Sequence, residues 1–209
     1  MRFEEMTIKA FSDELASNSP APGGGSAAAL CGLLAAALES MVSNLTLGKD
    51  KYKDGWDEMG KALEGSKKLH ADFINLMNED TESFNLFMKA LKMPKDTDEQ
   101  KAARRAAMAE ASKAATAVPL RTLESCAETA ALSVAAAKKG NPSAVSDAGV
   151  AALFAEAAAK AAAYNVKINL PGIKDEAFAK ECRDRMENAL ADAGKYAAET
   201  AAFVEEALK

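Results

Sequence analysis

Apolar residues along this chain recur at every third or fourth position and nowhere alternate with polar ones over the length of a strand, so the pattern predicts helices and no sheet. The punctuation divides the chain into about six of them. The first spans Thr7 to Ala16 and ends in SNSPAPGGG, where Pro20 and Pro22 keep the backbone extended. The second starts at Gly25 or Ser26 and stops at Gly48, a C-cap glycine. The third begins between Asp50 and Asp54 and runs to Met93, before Pro94. The fourth opens on Thr97-Asp-Glu-Gln100, a capping box, and reaches Lys139, with Pro119 expected to kink it. The fifth takes Asn141 as cap and Pro142 as first residue and continues through Ala163. Asn165 to Ile173 reads as a connector with room for an extended stretch. The sixth starts at Asp175 and carries Phe178, Cys182, Met186, Leu190, Ala193, Ala197 and Val204 at helical spacing. The expectation is an all-α bundle with two long helices. Each of these would be about 60 Å long at 1.5 Å per residue, too long for a compact monomer of this size, which implies a homodimer.

Composition narrows the classes further. The 209 residues make one domain, 1–209, large enough to hold its own core. Forty-eight alanines fit close-packed helices, and a net charge of −5 argues against nucleic acid or an anionic membrane as partner. The N-terminus MRFEEMTIKAF has acids where a signal peptide needs basic and then apolar residues. The weakly polar stretch Ser26 to Leu38 falls short of the ~20 residues that cross a bilayer. Cys31, Cys126 and Cys182 are odd in number and far apart, which suits a reducing cytoplasm. With His70 the only histidine, metal chemistry would need carboxylates alone.

Two features could carry chemistry. On the third helix Phe73, Met77, Phe84, Met88 and Leu91 form an apolar stripe, and Asp80 falls on it. Desolvation there would raise its pKa and suit it to moving protons near neutral pH; otherwise it is a solvated margin residue or a structural ion pair. Glu79 and Glu82 turn away. The second feature is Pro20-Ala-Pro-Gly-Gly-Gly-Ser26 ahead of a helix, either an anion cradle of free N–H groups or a tight turn between alanine-rich helices. It lacks the lysine of a P-loop. Ser146 and Asp147 sit in the first turn of the fifth helix, where capping explains them, and Asn165 and Asn169 in the connector would tie down backbone. Cys126 reads as a packed thiol, and His70 lies about 15 Å along the helix from Asp80, too far for a dyad.

FSDELAS, PAPGGGSAAAL, MVSNLTLGKDKY, DTESFNLFMKALKMPKDT, VPL, GNPSAVSD and NVKINL, in this order over nearly the whole chain, resemble the cyclodeaminase/cyclohydrolase group related to the C-terminal domain of formiminotransferase-cyclodeaminase. The resemblance implies all-helical homodimers acting on a tetrahydrofolate that carries a one-carbon unit. It implies that Asp80 is the catalytic aspartate. It also implies a pocket lined by Gly23, Gly24, Gly25, Ser26, Phe84, Ser146, Asp147, Asn165 and Asn169. Either reaction, hydrolysis of 5,10-methenyltetrahydrofolate or closure of the formimino compound with loss of ammonia, needs an acid and a base but no metal or redox cofactor. The glutamate tail of the folate would meet the glycine-rich helix start or Lys49, Lys51 and Lys53. With no transferase domain present, cyclohydrolysis ranks ahead by context. A non-enzymatic helical scaffold is the competing class, and it leaves Asp80 on the stripe unexplained.

Overall fold

A computed structural model describes residues 2–209, and among these every regular element is helical. Six helices follow one another: α1 Ile8–Leu15, α2 Gly24–Thr46, α3 Trp56–Leu91, α4 Asp98–Lys139, α5 Val145–Asn169 and α6 Glu176–Ala207. The two long ones are α3 with 36 residues and α4 with 42. Local chemistry sets their starts as expected. Thr7 accepts from the Ala10 N–H, Thr97 and Gln100 form the capping box, and Asp175 accepts from the Phe178 N–H. Gly48, just past the end of α2, has φ +75, the left-handed conformation that glycine adopts without a Cβ penalty.

Four expectations are corrected. Asn141 caps a short 3₁₀ turn, Pro142–Ala144, so α5 begins at Val145 with no side-chain cap and not at Pro142. Asp50–Gly55 is a 3₁₀ turn ahead of α3, with Tyr52 at φ −118 and ψ 18, so α3 begins at Trp56 and not at Asp50 to Asp54. The segment Asn165 to Ile173 is no extended connector. α5 carries on to Asn169 because Val166 and Leu170 continue its buried stripe, and that burial outweighs the modest helix propensity of Asn, Val and Ile. α2 has 23 residues, and by length and a mean hydropathy of 1.6 it passes for a membrane-crossing helix; half of that stretch is buried inside the bundle.

The core is alanine-rich and falls into three clusters. The largest gathers Phe11, Leu69, Phe73, Leu76, Leu120, Leu123 and Val166; a second centres on Val42, Met59 and Val204; and a small one joins Ala35, Ala130 and Ala155. α2 and α5 run antiparallel, with Gly24 beside Asn165 at one end and the Asn141 N–H donating to Thr46 Oγ1 at the other. The C-terminal halves of α3 and α5 and the start of α2 therefore meet at one end of the bundle.

Candidate active site

A cavity of about 440 Å³ opens at that end. Its floor is Gly23, Gly24 and Gly25, with Asp80 and Thr81 of α3 beside them. Phe84 and Phe87 form one apolar wall; Asn165, Ile168 and Asn169 of α5 form another; Ser112 and Ala115 of α4 close the third. The stripe seen in the sequence thus changes character along α3. Phe73 and Met77 are core, Phe84 lines the cavity, and Leu91 lies outside the core at 40% exposure.

Asp80 sits where the two sequence anomalies meet. The N-cap residue of α2 is Gly23, which offers no side-chain acceptor, so the first-turn N–H groups are left open. The anion that takes the cradle is internal to the protein: the Asp80 carboxylate of α3. Ser26 Oγ donates to Asp80 Oδ2 at 2.9 Å and lies 3.1 Å from the Met77 carbonyl oxygen. Burial pushes the Asp80 carboxyl above its ordinary range, and the Ser26 hydroxyl and backbone N–H pull it part of the way back. A carboxyl so placed holds its proton to higher pH than a solvated aspartate does.

The glycines matter for room. A Cβ on Gly25 would stand 2.1 Å from Asp80 Oδ1, whereas one on Gly24 would meet only Asn165 atoms at 3.6 and 3.7 Å, an ordinary contact. Gly25→Ala should therefore turn the Asp80 carboxyl away and lower turnover by about 10²-fold or more, the scale of losing a general acid–base group, while Gly24→Ala stays active. Steady-state turnover of the two folded variants checks this, and an active Gly25→Ala would show that the close approach is dispensable.

Pro119 explains Asn169. α4 continues unbroken through Pro119, which has no N–H for the carbonyl of Ala115 four residues earlier. Asn169 Nδ2 donates to that oxygen at 2.7 Å, pinning the end of α5 to α4 across the cavity. Asn165 Nδ2 donates to Ala161 O at 2.9 Å, which leaves Asn165 Oδ1 as an acceptor at the wall.

Of the residues expected in the pocket, Asp80, Gly23, Gly24, Gly25, Phe84, Asn165 and Asn169 line the cavity. Ser26 is fully buried beneath it and acts on Asp80. Ser146 and Asp147 are a correction. They lie in the first turn of α5, with Ser146 exposed, about 27 Å along the helix axis from Asn165, so within one copy of the chain they do not reach this cavity. Lys49, Lys51 and Lys53 are corrected likewise, being at the far end of α2, about 35 Å from Gly24. Thr81, Phe87, Ile168 and Ser112 were not anticipated. Phe87, three residues after Phe84 on the same face, was the one with a readable signal. Cys126 is fully buried and its thiol pushed up by desolvation, as packing requires. Among the described residues no three His, Cys, Asp or Glu side chains converge.

Fold and site define an all-helical protein with an apolar-walled cavity that holds one partly desolvated carboxylate. The formiminotransferase-cyclodeaminase family profile matches residues 7–188. A methenyltetrahydrofolate cyclohydrolase of Methylorubrum extorquens is 47% identical over 90% of both chains. The formimidoyltransferase-cyclodeaminase of Sus scrofa is 36% identical over 91% of this chain, which spans 35% of that longer protein. The crystal structure of formiminotetrahydrofolate cyclodeaminase from Thermotoga maritima superposes with a TM-score of 0.88 at 29% identity, covering 99% of each chain. The chain belongs to the formiminotransferase-cyclodeaminase family.

Proposed function

We propose that this protein hydrolyses 5,10-methenyltetrahydrofolate to 10-formyltetrahydrofolate with Asp80 as general base and acid. The observation that carries the reading is Asp80 itself, desolvated at the wall of a cavity whose Phe84, Phe87 and Ile168 suit a flat heteroaromatic ring. In the ionised state Asp80 takes a proton from the water that attacks the bridging carbon. The bond from that carbon to N5 then breaks as the carbinol oxygen becomes the formyl carbonyl: Asp80 returns its proton to N5, the second proton of the water is released to solvent, and the neutral formyl product on N10 replaces the cationic methenyl bridge. Asn165 Oδ1 is placed to accept from a donor on the ring. Of two relatives of matching length, the one named a cyclohydrolase is 47% identical and the one named a cyclodeaminase 29%, which favours this direction over release of ammonia from the formimino compound.

Purified protein mixed with methenyltetrahydrofolate should bleach the methenyl chromophore faster than buffer alone. Formiminotetrahydrofolate with ammonia detection separates the cyclodeaminase reading, and a scaffold would change neither rate. We also propose a homodimer in the cytoplasm. α2 and α5 together present Leu34, Met41, Leu45, Val150, Leu153 and Phe154 to solvent, a broad apolar face that a second copy would cover. Sedimentation at twice the chain mass would agree, and a monomer at micromolar concentration would reject it. Three unpaired thiols fit a reducing compartment.

A further inference from the structure

Ser26 has no access to solvent, yet its hydroxyl has three oxygens within reach: Asp80 Oδ2 at 2.9 Å, the Met77 carbonyl at 3.1 Å and Thr81 Oγ1 at 3.3 Å. One proton on Ser26 cannot serve all three. A hydroxyl can donate once and accept twice, and its rotor turns freely to suit.

We propose that Ser26 is a positioning residue for Asp80, its hydroxyl turning between the carboxylate and the Met77 carbonyl as Asp80 loses and gains its proton. When Asp80 is ionised, the Ser26 O–H donates to Oδ2. When Asp80 has taken a proton from the reacting water, that O–H donates to Ser26 Oγ, and Ser26 redirects its own proton to Met77 O. Every polar atom keeps a partner in both states, so the proton moves on and off the carboxyl without leaving a buried group unpaired. A lone backbone N–H in its place would favour only the ionised form.

No charge faces the pair. At this end α2 offers no charged side chain: Cys31, five residues beyond Ser26, has its thiol pushed up by burial, and the first carboxylate, Glu39, is thirteen residues beyond. On α3, Glu79 is tied to Arg121 of α4 and Glu82 is exposed. On α4, Lys113 is tied to Asp175. On α5, Lys167 lies over the Tyr164 ring. The N-terminal Glu4 is paired with Arg2 and Asn78. The Ser26 hydroxyl is therefore the adjustable contact through which the protein sets the balance between the two states of Asp80.

This inference rests on Asp80 acting as the base. The test is Ser26→Ala, which removes one oxygen from a buried site and adds nothing, assayed across pH with methenyltetrahydrofolate. The acidic limb of kcat should move to higher pH by about one unit, because the charge-assisted bond lost from the ionised form is stronger than the neutral bond lost from the protonated one, with KM unchanged. An unmoved limb would overturn the proposal, as would a rise in KM alone, which would make Ser26 a substrate contact. Asp80→Asn run in parallel separates the two levels. If it is inactive while the Ser26→Ala limb stays put, only this inference fails; if it is active, the reading of Asp80 fails.

Discussion

Asp80→Asn should lower turnover of methenyltetrahydrofolate by about 10²- to 10⁴-fold while leaving the fold intact. The amide has the same shape, and its Oδ1 can still accept from Ser26, so the α2–α3 junction keeps its hydrogen bond. What it cannot do is carry a proton between water and N5. Stability should not fall and should rise slightly. Because burial lifts the Asp80 pKa in the folded state, its contribution is fully present below the unfolded value and is lost as pH rises through the folded one. At neutral pH a neutral Asn avoids that cost. Thermal melting and initial rates on the same sample check both halves. A variant that melts normally and turns over at the parent rate would remove Asp80 from the mechanism, whereas one that melts earlier would mean the carboxylate supports the fold.

The helices were largely legible because their signals are local. Thr97 and Asp175 announce caps, Asn141 announces only the 3₁₀ turn ahead of α5, and the apolar positions of α6 recur at a spacing that needs no knowledge of neighbours. Asp80 was legible for the same reason, as one carboxylate on an apolar stripe. What it does there was not, because Gly25 and Ser26 are over fifty residues away and only the tertiary approach of α2 to α3 shows that the glycine-rich start receives Asp80. Asn169 repeats the lesson. Pro119 reveals that a carbonyl is freed, but the amide that takes it comes from 54 residues on. Ser146 and Asp147 were judged from their motif, and a motif does not state which end of a helix faces the cavity. Glu39 went unremarked, although it is the only charge in the whole of α2.

Glu39 carries the second large effect. Its carboxyl is fully buried: Oε1 accepts from Ser133 Oγ at 2.6 Å, and Oε2 has no hydrogen-bond partner. Burial pushes it from 4.5 up to about 8, with the Ser133 bond opposing. In the folded protein it is therefore a neutral acid across most of the range in which the unfolded chain is ionised. Its contribution to stability is complete below pH 4.5 and is lost as pH rises toward 8, at about 1.4 kcal/mol for each pH unit, after which the loss levels off. Glu39→Gln keeps an acceptor for Ser133 and does not titrate. The gap between variant and parent in urea-unfolding free energy should widen in favour of the variant by about 4 kcal/mol between pH 5 and pH 8. Parallel pH dependences for the two proteins would mean that Glu39 is ionised in the folded state, and the bundle must then hold a donor for Oε2. What acts on it argues otherwise: burial and the neutral Ser133 hydroxyl are the only influences on its carboxyl, and no cation pairs with it. A bundle packed from alanine leaves little space for water to relieve a buried charge, so retaining the proton is the cheaper state.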